Sequence, residues 1–177
     1  MRKLVGITGK ARSGKDTIAQ QLWGRQGYTR IAFADPLKQA AQAIFGLTHA
    51  QTWLDAEKEV VIPRWNLTPR QMFQKLGTES VRDVFGEHVW LERWLISYQL
   101  LASTDDIVVP DVRFQNEADL IRRLGGVIIE VRRGDGLTGE DGSHRSEAGG
   151  IKPDYVVEND GTLEGLYQKV IAIVGGA

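Results

Sequence analysis

Cysteine is absent from all 177 residues, which excludes disulfides, thiolate zinc sites and cysteine nucleophiles. A basic excess is missing as well. The chain carries 22 Lys and Arg against 23 Asp and Glu, for a formal charge of -1, which speaks against a protein that coats nucleic acid through many phosphate contacts. Its partners are expected to be small molecules rather than polymeric nucleic acid. Long apolar runs are lacking too: no stretch approaches the roughly 20 residues needed to span a bilayer. The first apolar run, Leu4-Val5-Gly6-Ile7, breaks at Thr8-Gly9, too soon for a signal-peptide core. A chain with no membrane partner, at work in the cytoplasm, is expected. What is present, 42% hydrophobic residues, suffices for one substantial core, so residues 1–177 are expected to form a single domain with an appended lid.

The hydrophobic pattern alternates between two periods. Residues 3–8 read as a strand, and Ile18, Ala19, Leu22 and Trp23 then recur at helical spacing over 15–26. Residues 29–34 read as a second strand, followed by a helix from Pro36 to Phe45 that Gly46 closes. Residues 47–67 show no regular pattern. Thr68-Pro69-Arg70-Gln71 spells a capping box with proline at the first helical position, predicting a helix that runs toward Phe85. A second apolar helix covers 87–101, a strand 106–112, a helix 114–124, a strand 127–131, a strand 154–158 and a last helix from Thr162. Alternating strands and helices predict an α/β fold with a central parallel sheet. Residues 134–150, rich in glycine and charge and nearly free of apolar side chains, are the candidate lid.

The sharpest signal is Gly9-Lys10-Ala11-Arg12-Ser13-Gly14-Lys15-Asp16-Thr17, set between the first strand and the first helix. Glycines there let the backbone turn its amides around an anion, the helix offers its positive end, and the lysine reaches the β- and γ-phosphates. The usual Ser or Thr directly after the lysine is replaced by Asp16, and Thr17 follows as a candidate Mg²⁺ ligand. This order resembles the loop of nucleoside monophosphate kinases such as adenylate kinase. It places Asp16 near the transferring phosphoryl group, to orient the acceptor or hold metal-bound water.

Other candidates carry a plainer reading beside the functional one. Asp111 ends an apolar strand, where an acid holding Mg²⁺ is expected after a phosphate loop, and Arg113 follows it, either in the site or paired with Glu117 one turn on. Asp35 and Lys38 either face a ligand at a strand's carboxyl end or cap a helix and meet solvent. Arg70, Gln74, Thr78 and Arg82 share one face of an α-helix, suited to a nucleoside monophosphate or to water. Gly77, within that helix, suggests a close backbone approach. Arg132 and Arg133 precede the lid, where arginines neutralise a moving phosphoryl group. Asn159 either contacts a purine or sits in an ordinary turn. Trp23, Trp53 and Trp65 leave core and interface, and with the latter a homodimer, both open.

Taken in order, G-K-A-R-S-G-K-D-T, F-A-D-P-L-K, L-G-T-E-S-V-R, P-D-V-R-F-Q-N-E-A, H-R-S-E and E-N-D-G-T-L resemble the bacteriophage deoxynucleoside monophosphate kinase family across essentially the whole chain. The resemblance implies a three-layer P-loop kinase with a five-stranded parallel sheet, a helical monophosphate-binding region at about 36–103 and a lid at about 132–150. It also implies transfer of the ATP γ-phosphoryl group to a deoxynucleoside monophosphate with Mg²⁺. Lys15, Asp16, Arg113 and Arg133 are the catalytic candidates; by the resemblance Ala11, Arg12, Ser13, Gly14, Lys15, Asp16 and Thr17 would hold ATP, with Asn159 as a further candidate beside them. Asp35, Lys38, Arg70, Gln74, Thr78, Glu79, Arg82, Trp90, Asp111, Arg113 and Glu117 would surround the acceptor, with Thr17 and Asp111 on the metal. Two rival readings are a P-loop kinase of another acceptor, such as phosphomevalonate or a base within DNA, and a nucleotide-dependent switch.

Overall fold

The computed structural model describes residues 2–134 and 150–176. Its strands are β1 (Leu4–Thr8), β2 (Thr29–Arg30), β3 (Ile107–Val109), β4 (Val127–Arg132) and β5 (Tyr155–Glu158). Its α-helices are α1 (Lys15–Gln26), α2 (Asp35–Phe45), α3 (His49–Trp53), α4 (Pro69–Gln74), α5 (Asp83–Phe85), α6 (Val89–Leu101), α7 (Gln115–Arg123) and α8 (Leu163–Gly176). A π-helical stretch, Lys75–Arg82, joins α4 to α5. The chain divides into two compact units, Met1–Ala32 with Leu95–Ala177, and Phe33–Trp94. No described helix is long and apolar enough to cross a membrane.

In the first unit the strands form one sheet in the order β2-β3-β1-β4-β5, and every neighbouring pair is parallel. Successive strand residues face opposite sides, so Val5 and Ile7 enter one core with Val108, Ile129, Val131 and Val157. Helices α1 and α8 close that face with Ile18, Leu22, Leu166 and Val170. Each such fully buried aliphatic side chain contributes about 1.5–3 kcal/mol. Helix α7 closes the other face. A Cβ on Gly6 would lie 2.7 Å from Ile128 Cδ1 and 2.8 Å from Ile121 Cδ1, so glycine in mid-strand lets α7 approach the sheet. The layers are therefore helix, sheet, helix.

The second unit is helical. Ala41, Leu47 and Met72 form one small buried cluster, flanked by Phe45, Ile62, Leu67, Phe73 and Leu76, and Phe33 and Trp94 are buried ring against ring at 4.9 Å. The Thr68–Gln71 capping box predicted for α4 is present, and α3 has a second one: the Thr48 hydroxyl accepts from the Gln51 amide, while the Gln51 side chain accepts from the Thr48 amide. That box, T-x-x-Q, lies inside the stretch the periodicity left unassigned.

Several expectations are corrected. The second strand does not reach residue 34. After the Ile31 amide bonds Val108 O at 3.1 Å, the chain turns away, with Ala34 in the cap position and the helix opening at Asp35. The third strand ends at Val109, because Pro110 has no amide to continue the ladder. Helix α6 starts at Val89 rather than 87, after a turn over residues 87–88 in which the Val89 amide bonds Gly86 O at 3.3 Å. The predicted helix to Phe85 is α-helical to Gln74 and again over Asp83–Phe85. Between them the winding is π-helical and wider, with i to i+5 hydrogen bonds. Trp23 is 58% exposed and does not serve the core; Trp53 is half-buried and Trp65 is 40% exposed.

Candidate functional site

The carboxyl ends of the parallel strands gather the candidate phosphate site. Thr8 pairs with Glu130, so the chain leaving β1 at Gly9 runs beside Val131. A Cβ on Gly9 would lie 2.4 Å from the Val131 carbonyl oxygen and 2.7 Å from Ser13 Oγ, and Gly9 holds φ 144°. Only glycine fits there. The loop then winds through Arg12 at φ 62° and Gly14 at φ 106°, and the Ser13 amide closes a turn onto Lys10 O at 3.2 Å. Left-handed residues within a tight turn make the concave array of amides that receives an anion. The first α1 bond runs from Ile18 N to Gly14 O at 3.0 Å, which leaves the amides of the preceding turn for a ligand.

Two side-chain facts fit a triphosphate. Ser13 is 3% exposed and, among the described residues, its Oγ has no hydrogen-bond partner, a state that costs about 1–3 kcal/mol unless something completes it. Lys15 is 13% exposed and its Nζ lies 3.6 Å from Asp16 Oδ2, whereas Asp16 itself is 75% exposed at the mouth of the loop. A carboxylate in the first helical turn is favoured by the helix dipole. Thr17 is exposed in the same turn. A cleft of about 740 Å³ continues from Lys10, Ala11, Arg12 and Ser13 to Arg133 and Glu158, and is also lined by Glu130 and Arg132. Arg132 is tied to Glu130 at 2.7 Å, and the neighbouring carboxylate raises the guanidinium pKa further; Arg133 is exposed in the cleft wall.

Asp111 lies just past β3. The Val112 amide donates to Ile7 O at 3.1 Å, so this turn sits against the end of β1, next to where the phosphate loop begins. Glu117, 4% exposed, uses its Oε2 to accept the Arg113 and Phe114 amides at 2.7 and 3.0 Å. The carboxylate thus shapes the turn that carries Asp111 and Arg113. Asn159 follows β5; its Nδ2 donates to Ser13 O at 2.9 Å and its amide to Arg132 O at 2.6 Å. The structure therefore brings Ala11 to Thr17, Asp111, Arg113, Arg133 and Asn159 to one edge of the sheet. His144 and Arg145, like the rest of the predicted lid apart from its two ends, lie outside the described residues.

The Phe33–Trp94 unit holds the other candidates. Lys38 Nζ sits 4.5 Å from the centre of the Trp53 ring, a cation–π contact. Arg70 Nε is paired with Glu59, and Glu79 with Lys75 at 3.4 Å. Gln74 and Thr78 are half-buried, while Arg82 is only 4% exposed. Trp90 Nε1 donates to Gly77 O at 2.9 Å, and a Cβ on Gly77 would meet Leu37 Cδ2 at 2.6 Å, the close approach expected of that glycine. Sequence reasoning passed over Glu59 and Glu130, and gave Lys10 of the loop and Trp53, weighed only as core or interface, no role in the site.

The model of the deoxynucleotide monophosphate kinase family matches residues 50–170. This chain belongs to that family. An Acanthamoeba polyphaga mimivirus protein classed with these kinases is 37% identical over 98% of this chain and 97% of its own length. The deoxynucleotide monophosphate kinase of Enterobacteria phage T4 is 33% identical over 60% of this chain and 44% of its own length. Among solved structures, a dephospho-CoA kinase from Campylobacter jejuni superimposes with a TM-score of 0.56 over 99% of both chains at 16% identity. At that identity the likeness shows the fold, the three-layer α/β architecture of P-loop kinases. A family kinase is thus a phosphotransferase by descent as well as by the form of its loop.

Proposed function

We propose that this family member transfers the γ-phosphoryl group of ATP to a deoxynucleoside monophosphate, giving ADP and a deoxynucleoside diphosphate. The observation that carries the reading is the phosphate loop. Its Gly9, Arg12 and Gly14 adopt left-handed backbone around a buried Ser13 hydroxyl that has no partner among the described residues. Family membership then narrows the acceptor.

Little covalent chemistry is asked of such an enzyme, which works by positioning and charge stabilisation. The loop amides and Lys15 hold the donor phosphates, and Arg113 and Arg133 screen the charge of the group in transit. Asp16, exposed at the mouth of the loop, orients the acceptor oxygen. Asp35, Lys38, Arg70, Gln74, Thr78, Glu79, Arg82 and Trp90 are assigned to the monophosphate, with the ammonium of Lys38 steadied by Trp53. The Thr17 hydroxyl and the Asp111 carboxylate are hard oxygen donors of the kind that suits Mg²⁺, which is commonly bound through one or two carboxylates plus substrate phosphates. When bound there, the ion would neutralise charge on the phosphates. Cytoplasmic action, in the host if the source is a phage, accords with these substrates.

Purified protein with ATP and Mg²⁺ is expected to release ADP only when a deoxynucleoside monophosphate is supplied, in a coupled assay run with each of the four bases. ATP hydrolysis at the same rate without acceptor would sink the reading. Asp16→Ala is expected to lower kcat about tenfold or more. Full activity with unchanged Mg²⁺ dependence would remove Asp16 from the mechanism.

A further inference from the structure

Asn159 stands where a purine-reading amide was expected, yet its donor is turned the other way, into the phosphate loop. We infer that Asn159 is a positioning residue that fixes the phosphate loop from behind, and that Lys169 holds Asn159 in place for this task. The inference rests on the loop being the donor-phosphate site.

The bond from Asn159 Nδ2 to Ser13 O is 2.9 Å and spans 146 positions of sequence. The Ser13 carbonyl and the Gly14 amide belong to one planar trans peptide and point in opposite directions. Holding the carbonyl therefore fixes the direction of the Gly14 N–H, one of the loop's donors. The fit is close. A Cβ on Gly14 would stand 2.6 Å from Asn159 Nδ2 and 3.5 Å from Leu166 Cδ2, so any other residue would displace the amide.

Asn159 is itself held on three sides. Its amide donates to Arg132 O at 2.6 Å, which ties it to the end of β4. Lys169 Nζ donates to Glu158 O at 2.9 Å and to Asp160 Oδ1 at 2.7 Å, gripping the residues on either side. Lys169 stands on α8, whose Leu166 and Val170 are locked in the sheet core. A continuous path of contacts thus runs from the buried face of α8 through Lys169 and Asn159 to the Ser13–Gly14 peptide. The hydrogen bond from Lys169 also keeps the Asp160 carboxyl below its usual pKa.

Inorganic tripolyphosphate separates the two roles, because it offers phosphates and no base. Its affinity and those of ATP and GTP are measured by calorimetry on the full chain, as wild type, Asn159→Ala, Asn159→Asp and Lys169→Met. Asn159→Ala is expected to weaken tripolyphosphate and ATP by the same factor, about fivefold, with the ATP to GTP ratio unchanged. Asn159→Asp is expected to be worse, since a carboxylate has no N–H to offer the carbonyl. Lys169→Met is expected to act in the same direction at about twofold, and as a partly exposed helix residue it carries the test should the Asn159 variants fail to fold. Weaker ATP binding with unchanged tripolyphosphate, or a changed ATP to GTP ratio, would overturn the inference in favour of a base contact. No acceptor is present in these titrations. A wild type that binds tripolyphosphate but phosphorylates no deoxynucleoside monophosphate would sink the proposed reaction and leave the brace standing.

Discussion

The two units are held together by different means. In the sheet unit, strands and helices meet along fully buried aliphatic faces, and the phosphate loop is wedged against backbone, with no room beside Gly9 for even one carbon. In the Phe33–Trp94 unit the Ala41, Leu47 and Met72 cluster and the buried Phe33–Trp94 ring contact are joined by polar devices: two capping boxes, the Arg70–Glu59 pair, the Lys38–Trp53 contact and the Trp90 indole on Gly77 O. Where Gly77 is crowded, its neighbour is the flexible tip of Leu37. The donor phosphates are common to every reaction of a kinase, whereas acceptors differ. In the proposed reading, a rigid seat for the one and a side-chain-built surface for the other suit that division of labour.

The largest expected effect removes the charge at the centre of the first region. Lys15→Met should lower kcat by at least about 10³-fold with the thermal midpoint nearly unchanged, measured by coupled assay and calorimetry. Substantial remaining turnover would detach the loop from the chemistry. Next comes a matched pair of glycines. Gly9→Ala is expected to destabilise by about 3 kcal/mol or more and to cost most of the activity, because neither the Val131 carbonyl nor the φ of 144° can yield. Gly77→Ala should cost about 1 kcal/mol or less, since the Leu37 side chain can turn aside and alanine favours helix. Equal losses in urea melts would erase the contrast between backbone-wedged and side-chain-lined glycines.

The third prediction concerns Tyr28, behind α1 in the sheet core. Burial, reinforced by the Asp106 carboxylate, pushes its phenol up to about 12. An acid whose folded pKa exceeds its unfolded one stabilises fully below the unfolded value and loses that contribution as pH rises through the folded value. Stability should therefore fall by on the order of 1–2 kcal/mol between about pH 10 and 12, and Tyr28→Phe should flatten this slope. An identical slope in the variant would assign the alkaline loss elsewhere. Smallest is Thr68→Ala, which removes the α4 cap and should cost about 1 kcal/mol with little effect on ATP affinity.

Much of the sheet unit was readable from local pattern. Helix α1 spans the 15–26 predicted for it, and the apolar runs at β1 and β4 sit where expected, because a buried parallel strand and a glycine stop are both local signals. Strand lengths were less legible. How far β2 continues depends on when the chain turns away from β3, a tertiary matter. The π-helical winding of Lys75–Arg82 was not legible, as composition does not separate i to i+4 from i to i+5 bonding. At the site, the loop announced itself by glycine spacing. That Glu117 would bind two backbone amides, or that Asn159 would reach Ser13, depends on partners brought near only by the fold.

Arg12 holds its left-handed turn without being glycine. Such a conformation costs roughly 1–3 kcal/mol and persists only when its surroundings impose it. Glycine would relax the turn and remove a positive charge from the rim of the phosphate cleft. In this loop backbone ease and cationic charge therefore compete for one position, and, in the proposed reading, a search for more heat-resistant forms of the protein could gain stability through Arg12→Gly at the expense of phosphate affinity.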